Sequence, residues 1–145
     1  LRALLKNAVE NTPDGGRIRV LIHGTPAGVA IGVEDTGVGI SPENQKYLFD
    51  GLFHTQATDV YTSKNPLAFN AGGKGLDLLR TKLAGERFGF RLTVQSRRCR
   101  YLPREEDVCP GRLADCGPGR DPEECAAAGG SLFNLIFENP PLSEG

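Results

Sequence analysis

The stretch Val33-Glu34-Asp35-Thr36-Gly37-Val38-Gly39-Ile40 constrains this chain more than any other. An apolar alternating run stops at a carboxylate, and two glycines follow. The acid is thereby fixed at a strand end, and the loop after it can approach a ligand closely, because glycine carries no Cβ. Upstream, Arg17 to His23 sets Ile18, Val20 and Ile22 against polar partners, which predicts a half-buried strand. Thr25-Pro26-Ala27-Gly28 reads as a turn, so Val29 to Glu34 is predicted to return antiparallel. Asp35 would then end the second arm of a hairpin.

Helical spacing surrounds this hairpin. Leu1, Leu4, Leu5, Ala8 and Val9 predict a helix over 1–11, ended by Thr12-Pro13-Asp14-Gly15-Gly16. Ser41 followed by Pro42 predicts a capped helix start, running to about Phe49. Residues 51–73 show no period; a loop that long in a compact domain is usually functional or mobile. Leu76, Leu79 and Leu83 predict a helix over 76–83. Strands are predicted over 88–96 and 131–138, and residues 139–145 are expected to fray. Hairpin-joined strands in one layer with helices on one face make an α+β, two-layer sandwich, its sheet mixed and mostly antiparallel.

The formal net charge is −1. That balance offers no electrostatic attraction for nucleic acid or an anionic membrane. No run approaches the ~18 apolar residues of a membrane span. The chain opens in mid-helix, without methionine and without a signal peptide, as expected of a piece of a longer protein. One domain over 1–138 is expected, with an insert at 99–130.

Five motifs in order carry a resemblance. Residues 4–13 (Leu-Leu-Lys-Asn-Ala-Val-Glu-Asn-Thr-Pro) resemble the N box of bacterial sensor histidine kinases, and 34–40 their G1 box. Residues 48–53 resemble the F box, 73–78 the G2 box, and 129–133 the motif that returns to the core. The chain is thus similar to the ATP-binding catalytic domain of these kinases, in the superfamily shared with gyrase, Hsp90 and MutL (the Bergerat fold).

The resemblance implies a set of roles. Asn7 would hold Mg²⁺ through its side-chain carbonyl, a hard oxygen ligand, and Asn11 would contact phosphate or cap the helix end. Asp35 would select adenine, whose amino group donates where guanine presents an acceptor. Gly37 and Gly39 would let the backbone pass near the base. Gly73, Gly75 and Leu76 would bring backbone N–H groups and a helix dipole to the phosphates, with Lys74 or Lys64 pairing their charge. Residues 51–72 would form the ATP lid, packed at its base by Phe49 and Phe53. Asp77 stands where the family usually has a third glycine, and is expected to point outward. Relatives that hydrolyse ATP carry a glutamate one turn before the asparagine; here that residue is Ala3, which favours transfer to another acceptor. His23 and His54 do not match the phospho-acceptor motif. The accepting histidine is therefore expected on a preceding dimerisation domain absent from this chain. The implied partners are that domain and a response regulator receiver, in a homodimer whose catalytic part is cytoplasmic, whether or not the full-length protein is membrane-anchored. Three alternatives stay open: a related ATPase, an anti-sigma-type serine kinase, and a non-catalytic nucleotide- or redox-sensing domain.

The four cysteines, Cys99, Cys109, Cys116 and Cys125, all lie in the insert, spaced Cys-x9-Cys-x6-Cys-x8-Cys. Without a Cys-x-x-Cys pair, three states remain open: a zinc or iron–sulfur site, disulfides, or unrelated thiols. An insert this poor in apolar residues is expected to need some staple.

Overall fold

The structure, a computed structural model, describes residues 1–49, 76–117 and 120–139. Helix α1 spans Arg2–Asn11 and turns Leu4 and Ala8 inward. It stops where expected: the Thr12 hydroxyl and N–H both donate to the Ala8 carbonyl, at 2.6 and 3.1 Å, and Pro13 cannot continue the helix. Strands β1 (Ile18–Thr25) and β2 (Gly28–Asp35) form the predicted hairpin, with Ile18 opposite Asp35. The one-turn helix α2 covers Pro42–Gln45, and α3 covers Leu76–Phe88. Strand β3 (Phe90–Arg97) follows, then a 3-10 turn at Leu113–Asp115, the short helix α4 (Pro122–Ala126) and strand β4 (Gly130–Glu138).

The strands make one sheet in the order β1-β2-β4-β3. Every described pairing is antiparallel, where a mixed sheet was expected. The final strand thus inserts between β2 and β3. Its register sets Val33 opposite Phe133 and Phe133 opposite Val94, with Ile31, Leu135 and Leu92 in a parallel row. These residues point to one face, since alternate residues of a strand do. Val33, Phe133 and Leu135 are buried there with Leu4 and Ala8 of α1 and Leu78 of α3. Burying each of the larger side chains contributes about 1.5–3 kcal/mol. The α+β, two-layer architecture expected from sequence is therefore present.

Three local expectations change. Strand β1 is not half-buried: Val20 is 48 % and Ile22 71 % exposed, because β1 is the sheet edge and α1 packs over β2 instead. Helix α2 begins at the expected cap, with Ser41 Oγ accepting the Asn44 N–H at 3.3 Å, but gives way to turns after Gln45. The Gln45 amide instead donates to the carbonyls of Ile40 (2.9 Å) and Ser96 (3.0 Å), tying the segment to β3. Helix α3 runs five residues beyond Leu83, ending where the Gly89 N–H meets the Gly85 carbonyl at 2.9 Å. Phe88 belongs to this helix rather than to the next strand.

Candidate functional site

Asn7 and Asn11 lie one turn apart on α1 and are both half-buried. The Asn11 amide donates to the Asn7 backbone carbonyl at 2.8 Å and to Asn7 Oδ1 at 3.3 Å. Asn11 therefore acts on Asn7 itself, adding a bond to its backbone carbonyl and orienting its side-chain oxygen. Neither expected role of Asn11 anticipated this link.

Asp35 closes β2 and is 3 % exposed. Its Oδ1 accepts the Gly37 N–H at 2.9 Å, and its Oδ2 is buried as well. The loop after it is fastened at each step. Thr36 exchanges hydrogen bonds with Arg17, its N–H donating to the Arg17 carbonyl at 3.0 Å and its Oγ1 accepting the Arg17 N–H at 2.8 Å. The Val38 N–H donates to the Asn11 carbonyl at 3.3 Å, so the acid loop leans on the end of α1. A Cβ on Gly37 would run into that carbonyl, and one on Gly39 (φ 66°) into the Arg97 carbonyl. Sequence reasoning assigned both glycines to close approach of a base. In the structure the nearest neighbours that exclude a Cβ are protein carbonyls, of α1 at Gly37 and of β3 at Gly39.

A layer of hydroxyls braces the same sheet end. Ser96 Oγ accepts the Ile40 N–H at 2.8 Å, donates to the Gly130 carbonyl at 3.1 Å and lies 2.8 Å from Ser131 Oγ. Ser131 stands opposite Asp35 in the register. Sequence reasoning missed both serines; the only available signal was their place at the ends of alternating strands.

Asp77 does not point outward. Lys6 Nζ donates to its Oδ2 at 2.8 Å, bridging α1 and α3. The Lys6 ammonium bonded to it holds the Asp77 carboxyl below the usual carboxylate range, against a partial burial that would raise it, with Arg80 and Arg2 adding to the lowering. Leu76 opens α3 as expected. Phe53, Lys64, Gly73, Lys74, Gly75, His54 and the predicted lid fall outside the described residues. His23 lies on exposed β1, and Ala3 is half-buried on α1.

The cysteine segment packs directly behind the acid loop. The Cys99 N–H donates to the Val38 carbonyl at 2.7 Å, and the Asp14 N–H to the Gly111 carbonyl at 2.9 Å. Cys99, Cys109, Cys116 and Cys125 all line one cavity with Thr36, Gly37 and Val38. Of the three states left open by the sequence, the four cysteines stand as free thiols, and among the described residues no three His, Cys, Asp or Glu side chains are arranged to hold a metal ion, so zinc is not supported. The staple is Arg98 instead. Its guanidinium, on a side chain 10 % exposed, donates to the carbonyls of Leu102 (2.8 Å), Arg104 (2.7 Å) and Asp107 (3.1 Å). Arg120 adds a cation–π contact, 3.6 Å from the Tyr101 ring centre. Burial pushes the Cys99 and Cys125 thiols up, and their neighbouring cysteines push further; at Cys99 a backbone hydrogen bond from Tyr101 opposes this.

The chain is 32% identical over 93 residues to the phosphate regulon sensor protein PhoR of Pseudomonas aeruginosa, covering 64% of this chain and 19% of that protein. It is 35% identical over 94 residues to the histidine protein kinase DivJ of Caulobacter vibrioides, covering 65% and 14%. The chain therefore spans less than a fifth of the length of these relatives. Among solved structures it is similar to the mycobacterial sensor histidine kinase MprB, with a TM-score of 0.54 and 22% identity, covering 96% of this chain and 72% of that one; this likeness shows the fold. Residues 1–107, most of the chain, match the histidine kinase-, DNA gyrase B- and HSP90-like ATPase family, to which this chain belongs.

Proposed function

We propose that this chain binds Mg-ATP and serves as the catalytic part of a sensor histidine kinase, transferring the γ-phosphoryl group to a histidine on a dimerisation domain outside this chain. The observation that carries the reading is Asp35: a carboxylate 3 % exposed, at the end of β2, locked by the Gly37 N–H beside the end of the asparagine helix. An acceptor held that way suits the amino group of adenine, and would oppose the carbonyl of guanine.

The residues present fit a magnesium–nucleotide. Asn7 offers a neutral hard oxygen oriented by Asn11, and Mg²⁺ is commonly held by one or two protein oxygens together with substrate phosphates. Bound there, the ion would neutralise phosphate charge. The chain's own residues would orient the base through Asp35 and the metal-bound phosphates through Asn7. Phosphoryl transfer asks a protein chiefly for positioning and charge. Ala3 provides no carboxylate to activate water, which supports transfer over hydrolysis. The relatives' names, sensor protein and histidine protein kinase, support the same reading; a response regulator as the downstream partner and a homodimeric full-length kinase are part of the proposal.

The test is phosphotransfer in trans. The chain is incubated with γ-labelled ATP, Mg²⁺ and a helical dimerisation domain carrying the acceptor histidine. Acid-labile label on that domain is expected, with little free phosphate. Rapid phosphate release without label on the acceptor would favour a related ATPase, and acid-stable label would favour a serine kinase.

A further inference from the structure

The ion pair between Lys6 and Asp77 joins the two helices that frame the candidate site, across 71 residues of sequence. Lys6 is an unusual place for a charge: it is 8 % exposed, between Leu4 and Ala8 of the core-facing side of α1. A lysine buried to that degree needs a partner, and among the described residues Asp77 supplies one at 2.8 Å. Lys6 immediately precedes Asn7, and Asp77 is the second residue of α3. A contact at this point ties the asparagine's turn of α1 to the first turn of α3.

The charges make the arrangement compatible with a phosphate ligand. A lone carboxylate in the first turn of α3 would stabilise the helix end but repel phosphates there. Asp77 is not alone. Lys6 bonds to it, Arg80 Nη1 lies 4.0 Å from its Oδ1, and Arg2 acts on it from further away. Three cations thus act on one acid, so among the described residues the charge of Asp77 is offset. The carboxylate is 37 % exposed, so it stays partly hydrated while its partner does not.

We infer that Lys6 and Asp77 are positioning residues for the phosphate end of the nucleotide site: their pairing sets the spacing between the asparagine helix and the start of α3. The inference rests on the ATP-binding reading. The inference gives Lys6 a positioning rather than a phosphate-binding role, because its ammonium is paired with Asp77. Its effect passes through Asn7 and the helix start. Asp35, at the base end, is held by separate contacts to Gly37 and is independent of the pair. Loss of the pair should therefore weaken recognition of the triphosphate and leave recognition of adenosine intact.

The test is a double-mutant cycle on the whole chain: wild type, Asp77→Asn, Lys6→Met and the double variant. Calorimetric affinities are measured for adenosine and for a magnesium-bound non-hydrolysable ATP analogue, together with melting temperatures. Each single variant is expected to lose about tenfold or more in analogue affinity, with adenosine affinity changed less than about twofold. The double variant is expected to be no worse than the worse single one. If the ratio of analogue to adenosine affinity stays at its wild-type value in folded variants, the inference is overturned, even where stability drops, because a merely structural pair would lower the melting temperature without moving the ratio. Should Lys6→Met fail to fold, Asp77→Asn alone carries the test, since it keeps the side chain's shape. A wild type that binds neither ligand overturns the ATP reading itself, whereas wild-type binding with an unmoved ratio overturns only this inference.

Discussion

The backbone N–H of Gly37 lies 2.9 Å from Oδ1 of Asp35, so the loop that leaves β2 folds back onto the acid that ends it. One carboxylate oxygen is spent on the protein, and the other is set by it. The loop's far side rests on the Asn11 carbonyl. The acid loop is in this way anchored to the last residue of α1, away from the turn that carries Lys6.

Replacing Asp35 separates its two roles. Asp35→Ala removes the acceptor for a buried N–H and should cost about 1–3 kcal/mol of stability. Asp35→Asn can keep Oδ1 for Gly37 while presenting an amide donor to the ligand. It should fold with a melting temperature near wild type, yet bind Mg-ATP about 10- to 100-fold more weakly, the size of a lost charged hydrogen bond. Calorimetry and a thermal melt on both variants check this.

Gly37→Ala should destabilise the chain by about 1–3 kcal/mol through overpacking, because the new methyl group would meet the Asn11 carbonyl, with Asp35 Oδ1 2.8 Å away. The neighbouring atom is backbone and cannot step aside. Denaturant melts should show a lower midpoint, and nucleotide affinity should fall with it, since the clash displaces the acid loop from α1.

Arg98→Ala should loosen the cysteine segment. The substitution leaves the Leu102, Arg104 and Asp107 carbonyls without their shared donor. A charged hydrogen-bond set of this kind contributes about 1.5–3 kcal/mol. Limited proteolysis is expected to cut within 99–130 in the variant under conditions that leave wild type whole. Zinc or a chelator should leave the pattern unchanged, since among the described residues no three side chains are arranged to hold a metal and Arg98 bridges the segment.

Two pH effects follow, of opposite sense. Asp77 has its carboxyl lowered by Lys6, so the pair's stabilisation is present above the unfolded value of 3.8 and is lost as pH falls through the lower folded value. Cys99 and Cys125 are raised above 9.0 by burial, so the folded state keeps protons that the unfolded state gives up. Their stabilisation is present below 9.0 and is lost as pH rises through the folded values. Melting temperature against pH should fall at both ends, and Asp77→Asn should flatten the acid limb alone. At pH 7.5 both thiols should alkylate more slowly than a cysteine in the unfolded chain, because the thiolate is the reacting form.

Much of this was legible from residue order. Alternation in residues 17–23 and 29–34 gave the hairpin, and Thr12-Pro13 and Ser41-Pro42 marked helix boundaries that the structure reproduces. Asp35 was singled out because its acid-and-glycine run, weak evidence alone, lies in order between the motifs at 4–13 and 73–78. What escaped was non-local. The exposure of β1 depends on which strand α1 covers, and periodicity does not report that. The direction of Asp77 was set by Lys6, 71 residues away. The Ser96 and Ser131 layer exists only because β4 inserts beside β2. Helix α4 could have been found: Asp121-Pro122-Glu123-Glu124 is a capping sequence, and Asp121 Oδ1 does accept the Glu124 N–H at 2.7 Å.

The central claim concerns Asp35 and an adenine. Its most direct test is a crystal structure of this chain with Mg²⁺ and a non-hydrolysable ATP analogue. The prediction is that the six-amino nitrogen of the base lies about 2.7–3.2 Å from the Asp35 carboxylate, with the metal-bound phosphates beside Asn7. A base seated away from Asp35, or a cleft left empty at saturating analogue, would contradict it.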